Sequence, residues 1–436
     1  MKKVLIISEG PPPLGSTPVE GGALRAWGLA KGLISHGMSV TVAYRSTFAL
    51  ADDHQDTPIP KGIQVATWDG ETIDALLQHH QVIIMRYAMG EAWAITQKLS
   101  PEHIYVADSY VPISIEVSAR NSNHKDEITN YLRLQESSML SMRRADYILY
   151  ASPAQLLYYL GYLGGINKLN PATYQELAHR LMEVPYGVDL ADKPKSLPAA
   201  PSSPTLLWYG AFYSWFDMES LIPALQTIKK DVPGFRLLIA GAKNPYNQDP
   251  GLLSHYEKTV EALSVLGDTV EYVPWASFEE RFNIYSRASA IVTFNHLGLE
   301  NKLAWRTRLM DYVLADRPII TNGGDPLGDD LIKRGVAFAS TAEQLATTFR
   351  SVIATKHDKA TFRAAAERYS WQAATKALAD QLQSPTRMKQ VPMVLSHNIF
   401  SVWRRRLVAY AGHPKRLLRY IRAHGVMQTI RRIVGR

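Results

Sequence analysis

The sequence contains no cysteine, which excludes disulfide bonds, thiolate zinc sites and a catalytic cysteine. It also has no run of the roughly 18 consecutive apolar residues that a transmembrane helix needs. The apolar stretch Val4–Ile7 is too short for the hydrophobic region of a signal peptide and instead predicts a first strand. These absences lead us to expect a cytoplasmic protein that does not span a membrane.

Acidic residues are absent from the last part of the chain. From Arg387 to Arg436 there are twelve lysines and arginines but no aspartate or glutamate, whereas the whole chain has a formal net charge of +8. Removing these twelve charges leaves the first 386 residues near −4. Because the positive charge is confined to this tail, we expect no nucleic-acid partner for the protein.

The 436 residues, 46% of them hydrophobic, exceed what a single hydrophobic core usually serves, so two domains are expected. The proline-rich segment 193–204 cannot continue a helix or a central strand, because proline lacks an amide donor. We therefore predict a first domain over residues 1–190, a linker over 191–204, a second domain over 205–385 and a tail over 386–436.

Short runs rich in β-branched residues alternate with stretches of helical periodicity in both predicted domains. The predicted strands cover residues 3–8, 38–44, 81–86, 103–108 and 146–151, then 205–209, 235–240, 269–273, 290–294 and 317–321. Such alternation is typical of a parallel sheet flanked by helices. Ligands of these sheets bind outside the carboxyl ends of the strands, so two facing Rossmann-like domains would form one cleft.

A glycine pair lies where the first predicted helix begins. Gly21 and Gly22 follow a long loop after the first strand and precede Arg25. Adjacent glycines let backbone amides approach an anion, which the helix dipole also attracts. The loop is too long for a G-x-G-x-x-G fingerprint, which argues against a dehydrogenase. A phosphate site and a flexible loop that merely begins a helix are both consistent with this motif.

The segment 295–318 combines a carboxylate, cations and a predicted helix start. Arginine and backbone amides bind phosphates and carboxylates bind hydroxyls, so Glu300, Arg306 and Arg308 suit a sugar diphosphate. On a helix Arg306 and Arg308 would point about 200° apart, so one of them could face the ligand while the other does not. Arg308 could instead form a surface salt bridge with Asp311, three residues later.

Two further charged residues end predicted strands. Asp108 lies where a carboxylate would project into the cleft toward an acceptor, although many such aspartates simply cap the next helix. Lys243 follows a strand of the second domain, where it could bind phosphate or remain in solvent.

The sequence offers no obvious metal site. No Asp-x-Asp triplet is present to bind Mg²⁺ or Mn²⁺ against a diphosphate, and the thirteen histidines show no H-E-x-x-H spacing. We therefore expect neither a metal nor another cofactor, with lysine, arginine and a helix dipole replacing the metal.

Over about residues 1–385 the chain resembles family 4 of the retaining glycosyltransferases, which have the GT-B fold. The matching segments, in family order, are Lys3–Ser8, Gly21–Gly22, Val184–Asp189, Leu309–Thr321 and Tyr369–Trp371. The resemblance implies an α/β protein with two Rossmann-like domains facing a central cleft. It also implies a nucleotide diphospho-sugar in the second domain and an acceptor in the first.

The chain departs from the family in two places. The Glu-x7-Glu motif would place an acid eight residues before Asp311, where Leu303 stands, so Glu300 is expected to serve from a shifted position. The arginine and lysine that usually follow the first strand of the second domain are replaced by an aromatic segment, residues 208–217. Both features are similar to a subset of bacterial polysaccharide-synthesis enzymes.

The resemblance also implies roles for individual residues. Asp311 would hold the ribose, Glu300 the sugar hydroxyls, and Arg306 the diphosphate. The predicted catalytic residues are Glu300 and Asp108, and the predicted donor-binding residues are Gly21, Gly22, Lys243, Arg306, Arg308 and Asp311. We expect retaining transfer to a glycan or lipid-linked glycan in cell-surface polysaccharide synthesis. An epimerase of the same fold and an inactive membrane-associated scaffold remain alternatives.

Residues 399–434 resemble short amphipathic helices separated by Pro414 and Gly425. Their basic residues are Arg404, Arg405, Arg406, Lys415, Arg416, Arg419, Arg422, Arg431 and Arg432. Basic amphipathic helices bind anionic membrane surfaces, so the tail predicts peripheral attachment to the inner face of a membrane. Docking of the tail on the body of the protein or on a partner remains an alternative.

Overall fold

The computed structural model describes residues 3–119, 125–194, 201–245 and 250–389. Two parallel sheets organise them, as the strand and helix alternation predicts. The first sheet contains β1 (Lys3–Ile7), β2 (Ser39–Arg45), β3 (Ile63–Trp68), β4 (Val82–Arg86), β5 (Ile104–Asp108), β6 (Tyr147–Tyr150) and β7 (Leu181–Glu183). Its strand order is β3-β2-β1-β4-β5-β6-β7, so the direction of winding reverses between β1 and β4.

The second sheet repeats this arrangement. It contains β8 (Thr205–Tyr209), β9 (Arg236–Ala240), β10 (Val270–Val273), β11 (Ala290–Thr293), β12 (Ile319–Thr321) and β13 (Ala337–Ala339). The order is β10-β9-β8-β11-β12-β13, so the winding reverses between β8 and β11. Ligands of doubly wound sheets bind at such reversal points, which here lie beside β1 and β8.

Helices connect the strands of both sheets. Those before β8 are α1 (Gly21–Ser35), α2 (Ile73–Gln78), α3 (Ala92–Gln97), α4 (Ile113–Ser118), α5 (Lys125–Arg144), α6 (Pro153–Gly165) and α7 (Tyr174–Ala178). Those after it are α8 (Ile222–Asp231), α9 (Pro250–Leu263), α10 (Arg281–Ser286), α11 (Leu299–Leu303), α12 (Thr307–Leu314), α13 (Pro326–Lys333), α14 (Leu345–Ala354), α15 (Lys359–Arg368) and α16 (Trp371–Gln383). Short 3-10 helices span Asp52–Asp56, Leu190–Asp192, Glu219–Leu221 and Ser264–Thr269.

The strands form because their apolar residues are buried on both faces of each sheet. All four of Val4–Ile7 are buried, as are all four residues of β6 and β11. Fully buried strands of this kind are typical of parallel sheets covered by helices on both sides. The predicted fold class of two Rossmann-like α/β domains is therefore confirmed.

The last described helix returns to the first sheet. α16 packs along α1, and Trp371 at its start contacts Gly28, at which a Cβ would lie 1.9 Å from the indole ring. Beyond α16, the amide of Met388 donates to Asp146 at 2.8 Å. The predicted second domain, residues 205–385, thus ends on a helix that packs against the first domain and fixes the chain across both.

Replacing Gly28 by alanine should therefore lower the free energy of unfolding by about 1–3 kcal/mol, because the added methyl group must displace the Trp371 ring. Gly161 in α6 is the matched control, since a Cβ there has no neighbour within 4 Å. Alanine at position 161 should be neutral or stabilising by about 0.5–1 kcal/mol. Denaturant unfolding of both variants measures the difference, and equal effects would contradict the close approach of α1 and α16.

Among the described residues, no helix is both long and apolar enough to cross a membrane. The predicted basic tail lies outside the described residues from position 390 onward, so its membrane binding stays a prediction. The predicted linker, residues 191–204, is likewise described only in part.

Candidate functional site

A cleft of about 560 Å³ lies at the carboxyl ends of the two sheets. Its walls include Glu9 after β1 and Arg86 at the end of β4, facing Tyr209 and Gly210 at the end of β8. A second cavity of about 200 Å³ adjoins it. The residues that line both cavities are Gly21, Tyr110, Val111, Glu116, Tyr213, Trp215, Thr307 and Arg308. The cleft predicted between two facing domains is therefore present.

Arg308, in the first turn of α12, lies at the junction of the two cavities. Its Nη2 donates to the carbonyl of Ala211 at 3.0 Å, and its guanidinium carbon lies 3.7 Å from the centre of the Phe216 ring. The Nη1 atom is buried without a hydrogen-bond partner. Burial lowers the pKa of the guanidinium, and the neighbouring charge of Arg306 acts in the same direction. No carboxylate forms an ion pair with Arg308 in the described part of the chain, and such a group favours an incoming anion.

A glycine after β8 leaves room for the Arg308 guanidinium. Gly210 has a φ of +108°, and a Cβ at this position would lie 3.1 Å from Nη2 of Arg308. Only glycine takes such a backbone conformation without strain. The aromatic segment 208–217 therefore accommodates an arginine supplied by α12.

Asp311 lies one turn further along α12 and lines the larger cavity. Its Oδ1 is 3.6 Å from Nε of Arg281, whose Nη2 also contacts Asp192 at 3.0 Å. Burial raises the pKa of Asp311, and the nearby Arg281 opposes this rise. The salt bridge considered between Arg308 and Asp311 is not formed, because Arg308 turns toward the end of β8.

Arg306 is not part of the helix but the residue before it, with φ −70° and ψ 83°. Its two Nη atoms donate to the carboxylate of Glu300 at 3.0 and 2.5 Å, and Nη2 also donates to Asn301 at 2.8 Å. The comparison of Arg306 and Arg308 by helical rotation is therefore wrong, since α12 begins at Thr307. Glu300 and Arg306 reach the smaller cavity as an ion pair rather than as two independent charges.

The glycine pair begins α1, as predicted, and both glycines line the larger cavity. A Cβ on Gly21 would have no neighbour within 4 Å, so this amide end of the helix is open. At Gly22 a Cβ would lie 3.2 Å from Oε2 of Glu9. The structure therefore places a carboxylate beside one of the two predicted phosphate-binding glycines.

Asp108 is engaged in a buried ion pair below the cleft. Arg25 donates from Nε and Nη2 to the two carboxylate oxygens, each at 2.6 Å, and Nη2 also donates to the carbonyl of Val184 at 3.0 Å. Asp108 does not line either of the two larger cavities among the described residues. It also does not cap the next helix, which has Pro112 at its N-cap position. Its place in the structure is thus internal.

Lys243 is exposed, and its ammonium lies 5.9 Å from the centre of the Tyr256 ring. The neighbouring Asn244 lines the larger cavity instead, where its amide donates to Glu20 and to the Tyr213 hydroxyl, both at 3.1 Å. The structure does not bring Lys243 together with the other predicted donor-binding residues.

Most residues that line the larger cavity were not singled out by sequence, among them Glu9, Arg86, Tyr110 and Arg281. Each lies at or just after a strand end or at a helix start, which is where a ligand of this fold binds. Their positions in the sequence could have indicated them as site residues. The sequence could not have indicated which charged residues they pair with. Among the described residues, no group of three or more histidine, aspartate or glutamate side chains is placed to hold a metal ion.

The sequence matches no protein-family model and no curated protein. Solved structures are similar to it. Sucrose-phosphate synthase from Thermosynechococcus elongatus is 17% identical with a TM-score of 0.57, covering 88% of this chain and 98% of that one. HepE from Anabaena, in complex with UDP and glucose, is 14% identical with a TM-score of 0.56, covering 88% and 100%.

WaaG, a glycosyltransferase of lipopolysaccharide biosynthesis, is also 14% identical, with a TM-score of 0.54 and coverage of 88% of this chain and 100% of that one. At these identities the likeness shows the fold. The chain therefore has the two-domain GT-B architecture, with its cleft at the carboxyl ends of both sheets.

Proposed function

We propose that this protein transfers a glycosyl group from a nucleotide diphospho-sugar to an acceptor hydroxyl. The observation that carries the proposal is the half-buried guanidinium of Arg308, whose Nη1 is buried without a hydrogen-bond partner. It has no carboxylate partner among the described residues and lies where two cavities meet. A cation that is partly removed from water and has no counter-charge is costly unless a ligand supplies the opposite charge. A diphosphate supplies that charge and would extend into both cavities.

The donor is divided between the two cavities in this proposal. The smaller cavity, about 200 Å³, is below the range of about 300–1,000 Å³ typical of whole-ligand sites and suits a single sugar ring. Glu300 would accept hydrogen bonds from the sugar hydroxyls there. The nucleoside would occupy the second-domain side of the larger cavity, with its ribose hydroxyls donating to Asp311.

The diphosphate would lie between Arg308 and the amino-terminal end of α1 at Gly21. Negative charge accumulates on the diphosphate as it leaves the sugar, and a fixed guanidinium with oriented amides stabilises that charge without rearrangement. Arg306 would contribute less directly, because Glu300 already balances its charge. Asp108 would act as a positioning residue through Arg25, whose guanidinium lies 4.5 Å from the centre of the Tyr110 ring.

The structural neighbours support a sugar nucleotide as the donor and a glycan as the product. HepE is solved with UDP and glucose, and WaaG is a lipopolysaccharide glycosyltransferase. We extend the proposal to retaining transfer without a metal, in the manner of family 4, in the synthesis of a cell-surface polysaccharide. The lipid-linked acceptor commonly used there would agree with the predicted membrane-binding tail.

The full chain incubated with UDP-, GDP-, dTDP- and ADP-sugars tests this proposal. Release of the nucleoside diphosphate, undiminished by EDTA, is expected with one of them, and NMR of the transferred sugar should show an unchanged anomeric configuration. An inverted product would contradict the retaining mechanism. Isomerisation of the free nucleotide sugar without an acceptor would identify an epimerase, and absence of nucleotide binding would favour a scaffold.

Replacing Asp311 by alanine should weaken nucleotide binding by about 1–3 kcal/mol, the usual cost of leaving buried hydroxyls without a partner. Calorimetric titration of UDP and 2′,3′-dideoxy-UDP measures this effect, since the second ligand has no ribose hydroxyls to lose. Its affinity should be the same for both forms of the protein. Equal losses of affinity for both nucleotides would contradict a contact between Asp311 and the ribose. Asp311 would then act by holding Arg281 in place.

A further inference from the structure

The first-domain wall of the larger cavity carries polar groups that the donor assignment does not use. We infer that this wall binds the acceptor as an uncharged sugar, through the Glu9 carboxylate, the Tyr110 hydroxyl and the Phe48 ring. The inference rests on the proposed function, because it assigns the second substrate of the same cleft.

Tyr110 is the most enclosed of these groups. Its side chain is only 6% exposed, and its hydroxyl has no hydrogen-bond partner among the described residues although it borders both cavities. Arg25 packs on the ring and fixes its orientation. Burial raises the pKa of Tyr110 to about 12, so the phenol keeps its proton at neutral pH. A hydroxyl that faces a cavity from a buried ring is complemented by another hydroxyl, which can both donate and accept.

Glu9 is held in place at the cavity wall by Arg86. Nη1 of Arg86 donates to Oε2 of Glu9 at 2.7 Å, while Oε1 of Glu9 has no hydrogen-bond partner among the described residues. The Arg86 Nε is buried and also unpartnered. A carboxylate fixed in this way is preorganised to accept a hydrogen bond from a sugar hydroxyl, and charge-assisted hydrogen bonds are the stronger kind.

Phe48 supplies an apolar surface on the same wall. It follows β2, lines the larger cavity and is 43% exposed, so its ring is accessible to a ligand there. Aromatic rings offer rigid apolar area to a ligand, and the C–H face of a sugar ring is the complementary surface. An exposed ring in the same cavity as a carboxylate and a phenol therefore matches a hydroxylated ring with one apolar face.

The charge of this wall selects against an anionic acceptor. The charged first-domain residues that line the larger cavity in the described part of the chain are Glu9, Glu20, Glu116 and Arg86. The single cation is already paired with Glu9. Carboxylate or phosphate groups on the reacting sugar would meet like charges, which is how binding sites reject the wrong partner. The favoured acceptor end is therefore a neutral sugar.

Ligand-observed NMR titrations of the full chain test this inference. The probes are methyl glucoside, methyl galactoside and methyl N-acetylglucosaminide, compared with methyl glucuronide and glucose 6-phosphate. We expect at least one neutral glycoside to bind more tightly than both anionic sugars. Glu9→Gln should raise the affinity of the glucuronide relative to the glucoside about fivefold, the effect of removing one like charge about 4 Å away in water.

Phe48→Ala should weaken the neutral glycoside about threefold or more, as expected for losing an aromatic contact. Tyr272→Ala is the matched control, because Tyr272 is equally exposed, at 43%, and lies on β10 outside the cavity lining. Equal or tighter binding of the anionic sugars, equal effects of the two aromatic variants, or no sugar binding at all would overturn the inference. Parallel titrations with UDP, GDP, dTDP and ADP test the donor site separately. If none of the four nucleotides binds, the proposed donor site is contradicted, while the glycoside titrations still decide whether the acceptor site exists.

Discussion

Replacing Arg308 by leucine should weaken the binding of nucleoside diphosphates by about thirtyfold or more, corresponding to the 2–5 kcal/mol typical of removing one partner of a buried charge pair. The effect is expected to be large because Nη1 of Arg308 is buried without a hydrogen-bond partner and no carboxylate pairs with Arg308 in the described part of the chain. Titration with UDP and with uridine separates the diphosphate from the nucleoside. Uridine, which has no phosphate, should bind both proteins equally.

The same substitution should not lower stability. The Arg308 guanidinium is half-buried, donates a hydrogen bond to Ala211 and has ring contacts with Trp208 and Phe216. Leucine keeps apolar contact with those rings and removes a buried charge, so thermal unfolding should occur at an equal or higher temperature. Arg350→Leu on the surface helix α14 is the control for nucleotide binding. Reduced stability together with unchanged UDP affinity would make Arg308 a structural residue and remove the observation on which the proposed function depends.

Much of the fold could be predicted from the sequence because its parallel strands are short apolar runs between turn residues. The strands that the sequence did not indicate are β3, β7 and β13. Two of them have only three residues, and β3 carries exposed and half-buried positions that weaken its apolar pattern. The return of α16 to α1 was also not predicted. Nothing local in Gly28 indicates that its missing side chain makes room for Trp371.

The position of the candidate site could be predicted from the sequence, but the ion pairs between its residues could not. Strand ends and helix starts can be located along a chain, which is why Gly21 was found, whereas Asp311 was indicated by the family resemblance. Both residues line the cleft. Charge partners come from distant segments, as with Asp311 and Arg281, thirty residues apart. The break before α12 had a similar effect. It leaves Arg306 before the helix, where its guanidinium pairs with Glu300.

Asp108 is the clearest case of a residue whose ion-pair partner, Arg25, could not be predicted from the sequence. Breaking this ion pair is expected to give the largest change in stability. Asp108→Ala should lower the free energy of unfolding by about 3–5 kcal/mol, because it leaves the Arg25 guanidinium buried without its counter-charge. Arg25 is 1% exposed and retains only its hydrogen bond to Val184 and its contact with Tyr110. Asp74→Ala, which removes an exposed ion pair with Lys98, should change stability little.

A double replacement distinguishes a structural role of Asp108, through its ion pair with Arg25, from a catalytic role. Combining Arg25→Met with Asp108→Leu removes both charges and fills the space with apolar groups, so most of the lost stability should return. Guanidinium unfolding of the single and double variants measures the coupling between the two residues. If Asp108 acts only by holding Arg25 against Tyr110, the double variant should still bind UDP with the affinity of the parent, while binding of the neutral glycoside should weaken. A single Asp108→Ala variant as stable as the parent would contradict the buried ion pair. Abolished hydrolysis of the donor in a stable double variant that still binds UDP would instead return Asp108 to the catalytic role that its place at the end of β5 first indicated.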